Sequence, residues 1–356
     1  MAERLMMKGN EAIAEGAIRA GCRFFFGYPI TPQNEIPEYM SRRMPEVGGT
    51  FIQAESEVSA INMVYGAAGA GARAMTSSSS PGVSLKMEGI SYCAGSELPC
   101  VVVNVARGGP GLGGLSPSQA DYYQATKGGG HGDYRLVVFA PSSVQECLDL
   151  MFEAFVVADK YRNPVMVLAD GLLGQMMEPV TLNPVDDLKI PEKPWATTGM
   201  KAGRPQAVIN SLALVGEELE KINKRIQAKY RQIEASECRF EDDATQDADL
   251  VIVAYGTSAR IAKSAIVKAK NQGQKVGLLR PITLWPFPTR KINELARAGK
   301  RFLVVEMSAG QMVEDVRLAV NGLGQVGFFG RLNGGIPTVT EVYQEIMKLL
   351  SARGVA

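Results

Sequence analysis

Residues 23–32 read Arg23-Phe24-Phe25-Phe26-Gly27-Tyr28-Pro29-Ile30-Thr31-Pro32, an apolar run that stops at a loop holding two prolines. A short aromatic run suits a buried strand. Proline, with φ fixed and no N–H to give a ladder, ends it. Outward from this stretch the alternation repeats: helical apolar spacing over residues 10–20, 57–72, 83–94 and 143–159, and β-rich runs at 50–53, 100–105, 136–140 and 164–169. Strands alternating with amphipathic helices predict a parallel sheet covered on both faces, because each crossover must return the chain to the same end of the sheet. Residues 1–185 are therefore expected to form one doubly wound α/β domain.

From Pro179 to Pro205 the chain holds five prolines and little periodicity, so residues 186–246 read as a connector. Within it Leu212, Val215, Leu219, Ile222, Ile226 and Ile233 recur at mostly three- and four-residue spacing, with charges such as Glu217, Lys221, Arg225 and Lys229 between them. This is an amphipathic helix with one apolar seam, which either packs on the chain's own domains or meets another subunit. Alternation resumes with strands at 250–254, 275–279 and 302–306 and helices at 259–272, 291–298, 310–320 and 338–350. A second, smaller doubly wound α/β domain is expected over residues 247–356.

Lys and Arg number 38 against 37 Asp and Glu, a net charge of +1, so no general field favours nucleic acid or an anionic membrane. No apolar run approaches the roughly 20 residues that span a bilayer. Met1-Ala2-Glu3-Arg4-Leu5 lacks a basic stretch leading into an apolar core, so a cytoplasmic protein is expected. Cys22, Cys93, Cys100, Cys147 and Cys238 contain no Cys-x-x-Cys pair, so no zinc or iron–sulfur centre is expected within the chain.

Several polar or glycine-rich loops follow strands of the first domain, where ligands of open α/β sheets gather. In Gly27-Tyr28-Pro29-Ile30-Thr31-Pro32 the prolines hold Thr31 in place, either for a ligand or as the N-cap of the next helix. In Gln53-Ala54-Glu55-Ser56-Glu57-Val58, Glu57 is either a helix-dipole partner or a catalytic carboxyl. The small residues Gly66, Ala67, Ala68, Gly69, Ala70 and Gly71 downstream imply close packing on this helix. Thr76-Ser77-Ser78-Ser79-Ser80-Pro81-Gly82 reads as a loop that caps a helix or offers an anion site. Arg107-Gly108-Gly109-Pro110-Gly111-Leu112-Gly113-Gly114 joins a planar donor fork, suited to a carboxylate, to a loop that backbone-hugging ligands can approach. It carries neither a P-loop nor a dinucleotide fingerprint. His131, the only histidine, is either an exposed or capping residue or an acid–base group.

Taken in order, Tyr28-Pro29-Ile30-Thr31-Pro32, Glu55-Ser56-Glu57, Glu97-Leu98-Pro99, Arg107-Gly108-Gly109-Pro110, His131-Gly132-Asp133, Ala169-Asp170-Gly171, Arg280-Pro281-Ile282-Thr283-Leu284-Trp285-Pro286 and Glu306-Met307 resemble the alpha-type subunit of 2-oxoacid:ferredoxin oxidoreductases over essentially the whole chain. The run Gln124-Ala125-Thr126-Lys127 and Gly174-Gln175-Met176-Met177-Glu178-Pro179 resemble the branched-chain type, which acts on 3-methyl-2-oxobutanoate.

The resemblance implies a thiamine diphosphate pyrimidine-binding domain over 1–185 and a transketolase C-terminal-like domain over 247–356. It implies that Glu57 bonds the pyrimidine N1′ and is catalytic, that Pro29, Ile30 and Thr31 line the cofactor, and that Thr31 and Arg107 hold the substrate carboxylate. It assigns His131 no step. A beta-type subunit would hold the diphosphate and Mg²⁺; here Asp170-Gly171 follows alanine rather than the glycine of the usual diphosphate signature. Partner subunits, gamma and ferredoxin-like ones among them, would carry [4Fe–4S] clusters, ferredoxin would take single electrons, and coenzyme A the acyl group. Pyruvate or 2-oxoglutarate as substrate, a beta-type E1 subunit of a lipoamide-linked dehydrogenase, and a non-catalytic scaffold are the alternatives.

Overall fold

A computed structural model describes residues 3–182, 188–200, 203–332 and 334–351. The first part of the chain runs β1 (Glu3–Lys8), α1 (Gly9–Arg19), β2 (Phe24–Gly27), α2 (Glu35–Glu46), β3 (Thr50–Gln53), α3 (Glu57–Gly69), β4 (Ala74–Ser78), α4 (Ser80–Gly95), β5 (Val101–Ala106), α5 (Tyr122–Thr126), β6 (Val137–Phe139), α6 (Val144–Tyr161), β7 (Val165–Asp170), α7 (Gly171–Gln175) and β8 (Met177–Leu182). There follow α8 (Gly216–Ser236), β9 (Phe240–Asp243), β10 (Leu250–Val253), α9 (Gly256–Lys270), β11 (Val276–Pro281), β12 (Thr283–Trp285), α10 (Thr289–Arg297), β13 (Arg301–Glu306), α11 (Met312–Val320), β14 (Val326–Gly330) and α12 (Val339–Ser351).

The first sheet has seven strands in the order β12-β6-β7-β5-β4-β2-β3, parallel except for β12 at its edge. From β2 the chain steps outward to β3 and then returns to β4 on the other side, so the order reverses between β2 and β4. Crevices form at such reversals, outside the carboxyl ends of the strands. The second sheet, β14-β13-β10-β11-β9, is parallel apart from β9. The α/β architecture expected from the alternation is present in both halves.

Several elements depart from what periodicity alone suggests. β4 occupies part of the stretch expected to be a loop; all five of its residues are buried although Thr76, Ser77 and Ser78 are polar. β12, which follows the second sheet's β11 in sequence, pairs with β6 of the first sheet, Thr283 opposite Phe139. β9 lies within residues 186–246 and pairs with β11, Phe240 opposite Pro281. β1 and β8 form a separate antiparallel pair, Glu3 opposite Leu182.

The amphipathic helix begins at Gly216, so Leu212 and Val215 precede it. Its seam packs on the chain's own core through buried Ile226, Tyr230 and Ile233, whereas Leu212, Val215 and Leu219 are exposed. The small residues at and just beyond the end of α3 also divide: Gly66 has no neighbour within 4 Å of an added β-carbon, while one on Gly71 would meet Ala196 of the connector at 2.8 Å. The close approach of α3 to α4 is instead at Gly89, where a β-carbon would come within 2.5 Å of Ile61.

Candidate active site

β2 delivers residues 28–33 to the carboxyl edge of the sheet. Gln33 fastens this loop: its Nε2 donates to the Tyr28 carbonyl at 3.3 Å, and its Oε1 accepts from Ser77 Oγ of β4 at 2.5 Å. Asn34 is the N-cap residue of α2, so the capping role left open for Thr31 falls elsewhere. Thr31 is exposed, and its hydroxyl accepts from Asn34 Nδ2 at 3.2 Å. Pro29 is exposed and Ile30 half-buried.

Glu57 opens α3 behind the N-cap Ser56, whose Oγ accepts from the Ser59 N–H at 3.2 Å. Glu57 is 6% exposed, whereas Glu55 faces solvent. The Glu57 carboxylate lies over Gly82 of α4: a β-carbon there would stand 2.5 Å from Glu57 Oε1 and 2.1 Å from Ser78 Oγ. Glycine at this position therefore makes room for the carboxylate. Among the described residues none donates a hydrogen bond to it, and the buried hydroxyls of Ser78 and Ser79 have no partner. Buried polar groups are ordinarily paired, so this cluster is built to meet something outside the chain.

The start of α4 ties this region to Arg107. The Ser80 N–H donates to Asn104 Oδ1 at 3.1 Å, its hydroxyl donates to Asp121 Oδ2 at 2.6 Å, and its Oγ accepts from the Arg107 N–H at 3.0 Å. Burial raises the Asp121 carboxyl, with the bonds from Ser80 and Asn104 acting against it. Arg107 is 7% exposed, donating from Nη1 to the Thr31 carbonyl at 2.8 Å and from Nη2 to the Leu112 carbonyl at 3.1 Å. Its buried Nε has no partner among the described residues. The fork thus keeps donors in hand for a carboxylate. The glycine loop turns tightly behind it: Gly113 has φ +60°, and a β-carbon there would lie 1.8 Å from the Gly108 carbonyl oxygen.

Arg107 accordingly touches both the Thr31 loop and the first turn of α4, and Glu57 rests on that same turn. A cavity of about 430 Å³ opens beside Thr31, lined by Leu115, Pro117, Leu172 and Gln175 among others. His131 stands apart and is exposed. Asp170 serves as the N-cap of α7, accepting from the N–H groups of Leu172 and Leu173 at 3.0 and 3.1 Å. Among the described residues no group of three or more His, Cys, Asp or Glu is placed to hold a metal ion. Sequence reading passed over Gln33, Asn104, Asp121 and Lys86; the first three sit in no motif, and a lysine in a helix pattern reads as a solvated residue.

Residues 15–238 match the family model "Pyruvate flavodoxin/ferredoxin oxidoreductase, thiamine diP-bdg", and residues 248–342 match "Pyruvate:ferredoxin oxidoreductase core domain II". The ketoisovalerate oxidoreductase subunit VorB of Methanothermobacter thermautotrophicus is 52% identical over 344 residues, 97% of each chain. The 2-oxoglutarate synthase subunit KorA of Archaeoglobus fulgidus is 39% identical over 336 residues, 93% of this chain and 96% of that one. Among solved structures, 2-oxoglutarate:ferredoxin oxidoreductase from Magnetococcus marinus, with 2-oxoglutarate, coenzyme A and succinyl-CoA bound, superposes with a TM-score of 0.88 at 26% identity. That match covers 97% of this chain and 65% of the longer Magnetococcus chain.

Proposed function

The chain belongs to the 2-oxoacid:ferredoxin oxidoreductases as an alpha-type subunit with a thiamine diphosphate-binding domain, and from that premise we propose that it serves the CoA-dependent oxidative decarboxylation of 3-methyl-2-oxobutanoate. The observation that carries the site assignment is the convergence of Glu57, Arg107 and the Thr31 loop on the first turn of α4. The residues fit the pyrimidine half of the cofactor: a buried carboxylate that accepts no hydrogen bond among the described residues, over a glycine that a β-carbon would fill.

Glu57 holds and protonates the pyrimidine N1′, and Pro29, Ile30 and Thr31 line that ring. Bound thiamine diphosphate supplies the carbon nucleophile and the electron sink for decarboxylation. The Thr31 hydroxyl and the remaining Arg107 donors take the substrate carboxylate, a charge-assisted contact that fixes the oxo carbon. The apolar wall of Leu115, Pro117 and Leu172 beside Thr31 suits a branched hydrocarbon side chain. The higher identity to a ketoisovalerate subunit than to a 2-oxoglutarate subunit supports the same substrate.

The relatives are named as subunits, and half of a cofactor site needs the other half. The diphosphate and Mg²⁺ belong on a beta-type subunit, and [4Fe–4S] clusters on further subunits that pass electrons to ferredoxin. Glu57→Gln in the assembled complex tests the assignment. CoA-dependent reduction of a viologen dye is expected to fall by about 100-fold or more, the scale of general acid–base catalysis. Unchanged turnover would instead support a scaffold role for this chain.

A further inference from the structure

Lys86 lies on α4 four residues beyond Gly82, on the helix face over which the Glu57 carboxylate rests. It is 0% exposed. Lysine is almost never fully buried without a paired charge, yet this one makes no contact ion pair among the described residues. Its Nζ donates to Thr76 Oγ1 of β4 at 2.9 Å. Burial pushes Lys86 down to about 8, and among the described residues the charge of Glu57 of α3 acts against this. Asp121, the other acid at this end of α4, is occupied by Ser80 and Asn104 and exerts no such pull.

The separation of the two charges is itself informative. A direct ion pair would clamp the Glu57 oxygens onto the lysine. An ammonium held back by Thr76 instead acts through low-dielectric protein, where charges are felt more strongly than in water, and leaves the carboxylate over Gly82 free for a ligand. We propose that Lys86 is a positioning residue for Glu57: its buried ammonium, anchored on Thr76, stabilises the ionised carboxylate and so makes Glu57 a ready proton donor to the pyrimidine nitrogen it faces. This rests on the assignment of Glu57 made above. The proton passes from the Glu57 carboxyl to the ring nitrogen, the carboxylate left behind meets a compensating positive charge, and nothing is oxidised or reduced.

The sign follows from the charge. A nearby cation lowers the proton affinity of a carboxyl, and removing it raises that affinity. Lys86→Met in the assembled complex therefore moves the acid-side midpoint upward by about one pH unit. It is read in the near-ultraviolet circular dichroism of bound thiamine diphosphate and in the acid limb of kcat, with the cofactor dissociation constant measured alongside. A Lys86→Met complex that assembles, binds cofactor and keeps the wild-type midpoint overturns the proposal.

Thr76→Val keeps the lysine but removes its hydroxyl acceptor, and serves if Lys86→Met does not assemble. With the hydroxyl that holds it back removed, the ammonium can close on the carboxylate, so the midpoint moves downward, and a stationary midpoint is again contrary. Glu57→Gln separates the two claims. Wild-type turnover and dichroism in that variant mean that the Glu57 assignment has failed. Loss of both, with Lys86→Met leaving the midpoint in place, means that the Lys86 proposal alone has failed.

Discussion

At Gly82 the absence of a side chain sets the position of the carboxylate. A methyl group there would stand 2.5 Å from Glu57 Oε1 and 2.1 Å from Ser78 Oγ, so one or both must move. Gly82→Ala is expected to cost about 1–3 kcal/mol of stability, the usual price of overpacking, and to lower kcat more than it raises KM. A thermal melt combined with steady-state kinetics on the assembled complex checks both. Arg107→Lys keeps the charge but loses the planar fork. KM for the 2-oxoacid should rise by about tenfold, the worth of one charge-assisted hydrogen bond, while thiamine diphosphate affinity stays constant. If both constants weaken together, Arg107 is holding the loop rather than the substrate.

Among elements, α8 and β4 show where sequence pattern reaches and where it stops. The seam of α8 was legible in part: Ile226 and Ile233 are buried, joined by Tyr230, which the spacing left out, whereas Leu212, Val215 and Leu219 of the same seam are exposed. What the spacing could not show is that Glu97 anchors the helix through Lys229 at 3.3 Å and through Arg225. Burial would raise the Glu97 carboxyl, but these two cations outweigh it and hold it below the ordinary carboxylate range. Its contribution is therefore full above the unfolded value of about 4.3 and is lost as pH falls through the lowered folded value. Hydrogen exchange is expected to show α8 amides opening ahead of those of α1 in that acidic window; equal opening would mean that the Glu97 pairs do not secure the helix.

β4 was illegible for the opposite reason. A central parallel strand ordinarily reads as an apolar run, but Thr76 and Ser77 are consumed by Lys86 and Gln33 in the site. Local polarity there reports internal hydrogen bonding rather than exposure. Glu57 and Arg107 were named from motifs in their loops, and their roles rest on the proposal above; Lys86 was not named, because no local pattern encodes its hydrogen bond to Thr76 of β4 or the influence of the Glu57 charge on it.

Across the whole molecule, the two sheets are fastened together rather than strung on a linker. β12 extends the first sheet from the second half of the chain. Gln119 donates from its N–H to the Met307 carbonyl at 2.8 Å and from Nε2 to the Tyr255 carbonyl at 2.9 Å, and its Oε1 accepts from Ser258 Oγ at 2.7 Å. Arg280 of β11 forks onto Glu146 of α6 at 2.7 and 3.0 Å. Pairing across long sequence separations of this kind is invisible to periodicity, which is why the α/β alternation was legible and the junction between the two sheets was not. On the proposed reading the chain offers only half of a cofactor site, and it is expected to be inactive alone and to gain activity only with partner subunits.

The most direct measurement uses the native complex purified without oxygen and supplied with thiamine diphosphate, Mg²⁺, coenzyme A and a low-potential viologen. Initial rates are compared on 3-methyl-2-oxobutanoate, pyruvate and 2-oxoglutarate. The account predicts CoA-dependent dye reduction fastest on the branched oxoacid. A faster rate on pyruvate or 2-oxoglutarate would contradict the substrate assignment, and no reduction with any of the three, with cofactor bound and clusters intact, would contradict the catalytic role proposed for Glu57, Thr31 and Arg107.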